Sequence, residues 1–188
     1  SDLAPKIINA TMNVFLAIAN SAQFAPTAIK FHYQFNLRDF ARIIQNMLLA
    51  MPQHYKGNPL GIVRMWAHEC HRTWHDRLIF DVDREAYMNF MRNGIKEFGD
   101  FKEEQIFEEP LLYTSFVAMC GGHEATYLPV AEMVALKGTL EAKLEEYNEV
   151  VARMDLVLFD QAMEHISRIA RITIHPVGSA LLVGVGGS

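Results

Sequence analysis

Apolar residues recur at helical spacing along almost the whole of this chain, and one short apolar run near the end, Ala180–Val185, breaks the pattern. The first stripe is Ile8, Met12, Phe15 and Ala19; the next is Phe40, Ile43, Ile44, Met47 and Leu48. Val63, Trp66, Ala67, Cys70 and Trp74 make a third, and Tyr87, Phe90, Met91, Gly94 and Phe98 a fourth. Met133, Leu136, Leu140, Leu144, Tyr147, Val151 and Met154 follow, then Met163, Ile166, Ile169 and Ala170. A spacing of three and four residues places each set on one face of a helix. The spacing predicts helices near 5–22, 37–50, 60–78, 84–98, 130–153 and 160–170, and a mainly α fold. "ALLVGV" reads as a buried strand. A lone strand is not stable without a sheet, so the expectation is that both ends are cuts in a longer protein that supplies the missing partners.

Composition narrows the class. At 188 residues, 51% hydrophobic and 21% charged, the chain has the makings of one domain or two small ones. Its net charge of −5 argues against a general nucleic-acid surface. No apolar run approaches the ~20 residues of a membrane span. The two cysteines, Cys70 and Cys120, read as reduced thiols in the cytoplasm. Local signals refine the elements. Asn36 caps the second helix, with Asp39 at its third position. Asp83 is expected to cap the fourth helix, and Pro129 to open the long one. Lys30–Phe35 reads as extended, residues 99–110 as a solvated acidic loop, and "LLYTSFVAM" as a candidate strand.

Three features invite a chemical reading. "GVGGS", Gly184 to Ser188, follows the strand as a phosphate-binding loop does, but the lysine and the Mg²⁺-binding hydroxyl residue of that loop are absent; the alternative is a flexible tail. In "HECHRTWH", His68, His71 and His75 share a helix flank with Arg64. The HExxH spacing is missed by one residue, and the arginine would repel a cation, so a solvated or interdomain flank is expected and no metal. Arg38 sits in the first turn of its helix, where a cation opposes the dipole. Either it is an ordinary surface arginine or it has an anion for a partner. The heptad-like methionine spacing after residue 133 lacks consistent flanking charges and reads as core-facing rather than coiled coil.

"HYQFNLRDFARI", "IVRMWAHECHRTWHDRL" and "MDLVLFDQAMEHISRIARI…ALLVGVGGS" together resemble dynein heavy chains, in order and spacing, over essentially the whole chain and most weakly over residues 99–128. The resemblance is to the AAA+ motor ring, and the wording looks axonemal. It implies that residues 1–128 are the helical lid of the third AAA+ module. Residues 129–188 would be a connecting helix, a further helix and the first strand of the truncated α/β fourth module, ending inside its P-loop. It implies further that Arg38 is the sensor-2 arginine of the third module. Leu156, Val157, Leu158 and Phe159 would then be the adenine loop of the fourth, and Gly184, Val185, Gly186, Gly187 and Ser188 its partial P-loop. ATP or ADP with Mg would be cofactors of the parent protein, with none bound by this piece and no catalytic residue in it. Partners would be neighbouring AAA+ modules and, through the parent, microtubules and other dynein subunits, in the cytoplasm, cytoskeleton and axoneme of a cilium or flagellum. The piece would couple the nucleotide state of one module to the next in a minus-end-directed motor. The rival readings are a free-standing helical interaction module and a metal-dependent helical enzyme built on the histidines.

Overall fold

The computed structural model describes residues 3–116, 126–175, 178–182 and 184. It falls into two compact units, Ser1–Leu111 and Leu112–Ser188. The first unit carries α1 (Leu3–Ala19), α2 (Leu37–Met47), α3 (Pro52–Tyr55), α4 (Pro59–Thr73), α5 (Asp81–Gly94) and α6 (Glu103–Ile106). The second carries β1 (Tyr113–Thr114), β2 (Leu128–Pro129), α7 (Met133–Val150) and α8 (Asp160–Thr173). The mainly helical fold is as the periodicity requires. Short 3-10 turns at His75–Arg77 and Ile95–Phe98 account for the longer reach expected of the third and fourth helices.

The middle of the first unit is α4. Every residue from Met65 to Cys70 is buried, so this helix is enclosed on all sides rather than along one stripe. Its polar side chains must then be satisfied by neighbouring elements. Trp66 Nε1 donates to Thr11 Oγ1 of α1 (2.8 Å). Asn46 of α2 donates through Nδ2 to Glu69 Oε2 (2.7 Å). Arg64 donates to the carbonyls of Gln105 and Glu108, both at 2.8 Å. On the other side α1 lies against α5, and Gly94 lets them close: a Cβ there would stand 2.6 Å from Val14 Cγ2.

Several local expectations give way to tertiary structure. Asp83 is not a cap: the N-cap residue is Phe80, and Asp83 is buried in the first turn of α5, where side chains from residues 23–33 converge on it. Lys30–His32 form a bend and turn rather than the start of an extended segment, and Tyr33–Phe35 belong to no helix or ladder; the bonds converging on Asp83 hold the stretch in place. Within the stretch read as an acidic loop, residues 103–106 form α6. Pro129 belongs to β2, and the long helix starts at Met133 behind Glu132. Only Leu136 and Leu140 of its stripe are buried; Tyr147, Val151 and Met154 are exposed.

In the second unit β1 and β2 pair antiparallel, Tyr113 opposite Pro129 and Thr114 opposite Leu128, with Val130 N–H continuing to Leu112 O (2.8 Å). Leu112, Val130, Leu136, Leu140, Leu158 and Met163 form its core. The strand expected at Ala180–Val185 is not formed over its described residues, Ala180–Leu182 and Gly184, which are exposed and outside any ladder. An extended segment becomes a strand only by pairing, and no neighbouring strand lies beside these residues among those described. Val183 and Val185 lie outside the described residues.

Candidate functional site

The N-terminus of α2 is the best-built exposed site of the first unit, and it is assembled from a distance. Asp83 accepts hydrogen bonds from Gln23 Nε2 (2.9 Å), Lys30 Nζ (2.9 Å) and the Tyr33 hydroxyl (2.8 Å). Lys30 Nζ also donates to Gln23 O (3.0 Å), and Ile79 N–H donates to the Tyr33 oxygen (3.0 Å). Burial pushes the Asp83 carboxyl upward, but the three donors and the Lys30 charge outweigh it and hold the group below the usual aspartate value. This hub pins the aromatic segment 30–35 against the start of α5, and so fixes where the chain enters α2.

A capping box then sets the helix. Asn36 Oδ1 accepts from Arg38 N–H (2.8 Å), and Asp39 Oδ2 accepts from Asn36 N–H (3.0 Å). Asp39 is buried and ion-paired with Arg77, whose guanidinium also donates to Gln34 O (3.2 Å) and lies over the Phe35 ring. His32 Nε2 donates to Arg77 O (3.0 Å).

Around this frame lies an open hollow of about 580 Å³ lined by Phe31, His32, Gln34, Asn36, Arg38, Asp39, Arg42 and Arg77. Three arginines face one aspartate there, and that aspartate is already paired with Arg77. Arg38 and Arg42, one turn apart on α2, are exposed. Among the described residues neither guanidinium has a hydrogen-bond or ion-pair partner. A concave, cationic site at a helix N-terminus suits a phosphate group.

The sequence singled out Arg38 but missed Arg42 and Arg77. The i,i+4 spacing of Arg38 and Arg42 was a legible signal, whereas the pairing of Arg77 with Asp39 depends on tertiary packing. Of the histidines expected on a solvated or interdomain flank, His68 departs from a solvated position. His68 is buried and donates through Nδ1 to Leu111 O (3.0 Å). His71 is held by Ala67 O (2.9 Å) and stacks on His75. Burial, with the neighbouring His75 and Arg72 charges, pushes His71 down to about 3. His68 is buried because α4 is enclosed, whereas His71 and His75 are half-buried. No group of three or more metal-ligating side chains converges among the described residues.

Of the residues assigned to the fourth module, Leu158 is buried and packs in the core of the second unit. Leu156, Val157 and Phe159 are exposed. Gly184 is exposed, and Val185, Gly186, Gly187 and Ser188 lie outside the described residues. No helix among the described residues is long and apolar enough to cross a membrane.

Comparison with known proteins bears on the family. A family model for the AAA+ lid domain matches residues 7–108, and one for the P-loop-containing dynein motor region D4 matches residues 154–188. The chain is 42% identical to the dynein beta chain of the flagellar outer arm of Chlamydomonas reinhardtii over 190 residues, 99% of this chain and 4% of that one. It is 41% identical to a ciliary dynein beta chain of Tripneustes gratilla over 99% of its length, again 4% of the relative. It is 44% identical to human dynein axonemal heavy chain 17 over 89% of its length, also 4% of that protein. It therefore spans about 4% of the length of these relatives. An enclosed helical unit matching the AAA+ lid, followed by a segment matching motor region D4, places the chain in the dynein heavy chain family.

Proposed function

We propose that this chain is the part of an axonemal dynein heavy chain in which the lid of the third AAA+ module leads into the fourth, and that Arg38 senses the third module's nucleotide. On this reading residues 1–128 belong to the third module and residues 129–188 to the fourth. The parent is an ATP-driven, minus-end-directed microtubule motor of the cilium or flagellum, using ATP or ADP with Mg and acting beside other dynein subunits. The relatives' ciliary, flagellar and axonemal names support that setting.

One observation carries the assignment of Arg38. Its guanidinium is exposed and has no partner among the described residues, on a helix start that is otherwise capped and ion-paired. A cation opposes the dipole there, and a phosphate arriving from the large part of the same module would reverse that cost. Closure around nucleotide then moves α2, and the lid carries the motion toward the next module. Differential contacts of this kind supply couplings of about 1–3 kcal/mol. Leu156, Val157 and Phe159, turned outward beside the anchored Leu158, are suited to hold adenine in the fourth module.

The test is Arg38→Ala in the parent motor. Microtubule gliding slows and the third module's grip on nucleotide weakens, while nucleotide affinity of the fourth module is unchanged. Unaltered gliding and nucleotide affinity would refute the assignment. The chain by itself, lacking the P-loop lysine and hydroxyl residue, binds Mg-ATP weakly or not at all by calorimetry, and micromolar affinity would count against the reading.

A further inference from the structure

Four residues, one on α2, two on α4 and one on the segment after α6, form a run of polar contacts through the interior of the first unit. Asn46, near the C-terminal end of α2, donates through Nδ2 to Glu69 Oε2 at 2.7 Å. His68 precedes Glu69 on α4; its Nε2 lies 3.9 Å from Glu69 Oε1, too far for a hydrogen bond, so the two side chains are linked through their adjacent places on the rigid helix. The other side of that ring bonds Leu111 O at 3.0 Å. A carbonyl can only accept, so Nδ1 carries the hydrogen. Asn46 and Glu69 are 0% exposed and His68 1%. Leu111 is the last residue of the first unit.

This is a costly way to fill a core. A buried carboxyl and a buried imidazole need partners that apolar side chains of similar volume would not. Among the described residues Asn46 Oδ1 is buried without a hydrogen-bond partner, so the amide serves its bond to Glu69 rather than a fully satisfied network. α2 is a rigid rod of eleven residues, ~16 Å long. Arg38 stands near one end and Asn46 near the other, and a tilt at the first displaces the second. The direction of a hydrogen bond resists such a displacement far more than apolar contact does, since the bond weakens steeply off its preferred angle.

We infer that the Asn46–Glu69–His68–Leu111 run is a positioning device that ties the orientation of the arginine-bearing helix to the point where the chain leaves the first unit. Its role as a transmission element rests on the reading of Arg38 given above; the mechanical link itself does not. Asn46, Glu69 and His68 are positioning residues and touch no ligand.

Coupling between two sites is reciprocal, and that makes the link testable in the whole chain without nucleotide. Amide hydrogen exchange is followed by NMR at Arg38 and Asp39, whose N–H groups bond Asn36, and at Leu111, whose N–H bonds Glu109 Oε2. Amides of α5 serve as the reference. Asn46→Leu cuts the run at one end and His68→Leu at the other. Each is expected to speed exchange at both Arg38–Asp39 and Leu111 by ~5-fold or more, the lower end of site-to-site couplings, with α5 unchanged. His68→Asn keeps a donor toward Leu111, and Glu69→Gln keeps an acceptor for Asn46; both are expected to restore near-normal exchange. A response confined to the end nearest the substitution overturns the inference. So does uniform acceleration that includes α5, which marks plain loss of core packing. Should Asn46→Leu fail to fold, His68→Leu gives the same reading from the other end. Because no nucleotide enters the measurement, its failure leaves the assignment of Arg38 standing. An unaltered motor carrying Arg38→Ala would leave the exchange result standing.

Discussion

Removing Asp83 should loosen the whole approach to α2, and the size of the effect can be worked from its bonds. The carboxylate is 2% exposed. It receives Gln23, Lys30 and Tyr33 at 2.8–2.9 Å and forms an ion pair with Lys30. Breaking a buried pair by deleting one partner costs about 3–5 kcal/mol. Lys30 keeps its bond to Gln23 O and its side chain is 18% exposed, so water recovers part of the loss. Asp83→Ala is therefore placed at the low end, about 3 kcal/mol, and the isosteric Asp83→Asn at about 2 kcal/mol, the scale of one charge-assisted hydrogen bond. Against a total of roughly 5–15 kcal/mol, either change moves a urea midpoint clearly without altering the slope.

The pH dependence gives an independent check. The folded Asp83 carboxyl lies below its ordinary value. Its stabilisation is therefore complete above the unfolded value of ~3.9 and is lost as pH falls through the folded value. The native chain should show this acid-side loss and Asp83→Asn should lack it. A cost below about 1 kcal/mol for Asp83→Ala, beneath the ordinary range for such pairs, would show that segment 30–35 is held by its aromatic contacts instead.

His71 acts in a different window. Its folded value of about 3 lies below the unfolded ~6.5, so the unfolded chain takes up a proton first. Stability falls from pH 6.5 downward by at most ~1.4 kcal/mol per pH unit, less to the extent that the part-buried ring is hydrated; a His71→Gln chain should melt with a flatter dependence between pH 6.5 and 4.5. Gly94→Ala should destabilise by about 1–3 kcal/mol through overpacking, since Val14 stands 2.6 Å from the new Cβ; adding Val14→Ala should recover much of it in thermal melts. Arg38→Ala should change stability by no more than ~0.5 kcal/mol, as at other exposed positions. A large fall in melting temperature would mark it as a structural arginine.

The parts of this fold that were legible in the sequence are the ones decided locally. Helical periodicity located α1, α2, α4, α5, α7 and α8, and the Asn36–Asp39 spacing announced a capping box that the structure forms. What stayed hidden was decided by contacts distant in sequence. Asp83 looks like a helix cap beside its neighbours, and only the return of residues 23–33, some fifty positions earlier, turns it into a hub. His68 looks solvated on a helical projection because a single helix cannot show that α1, α2 and the 105–111 segment enclose it. Arg38 stood out because it disobeys a local rule, and it is at functional or strained positions that such disobedience is expected.

The way that exception is maintained explains why the site stays cationic. Asp39 could have neutralised Arg38 from the next position on the helix. Instead its carboxylate is turned inward, with one oxygen accepting the Asn36 N–H and both engaged by Arg77. Arg77 in turn is fixed by Gln34 O and the Phe35 ring, on the segment that Asp83 pins through Lys30 and Tyr33. Asp39, the one acid lining the hollow among the described residues, is thus committed before Arg38 and Arg42 are reached, and on the proposed reading their charge serves an incoming anion. Arg77→Leu should release Asp39 toward Arg38. It should therefore lower stability and weaken phosphate capture together, whereas Arg42→Ala should weaken capture alone. Calorimetric titration of the parent motor with nucleotide, set beside melts of the two variants, separates these outcomes. Equal losses of capture and stability in both variants would show that the arginines serve the fold rather than a ligand.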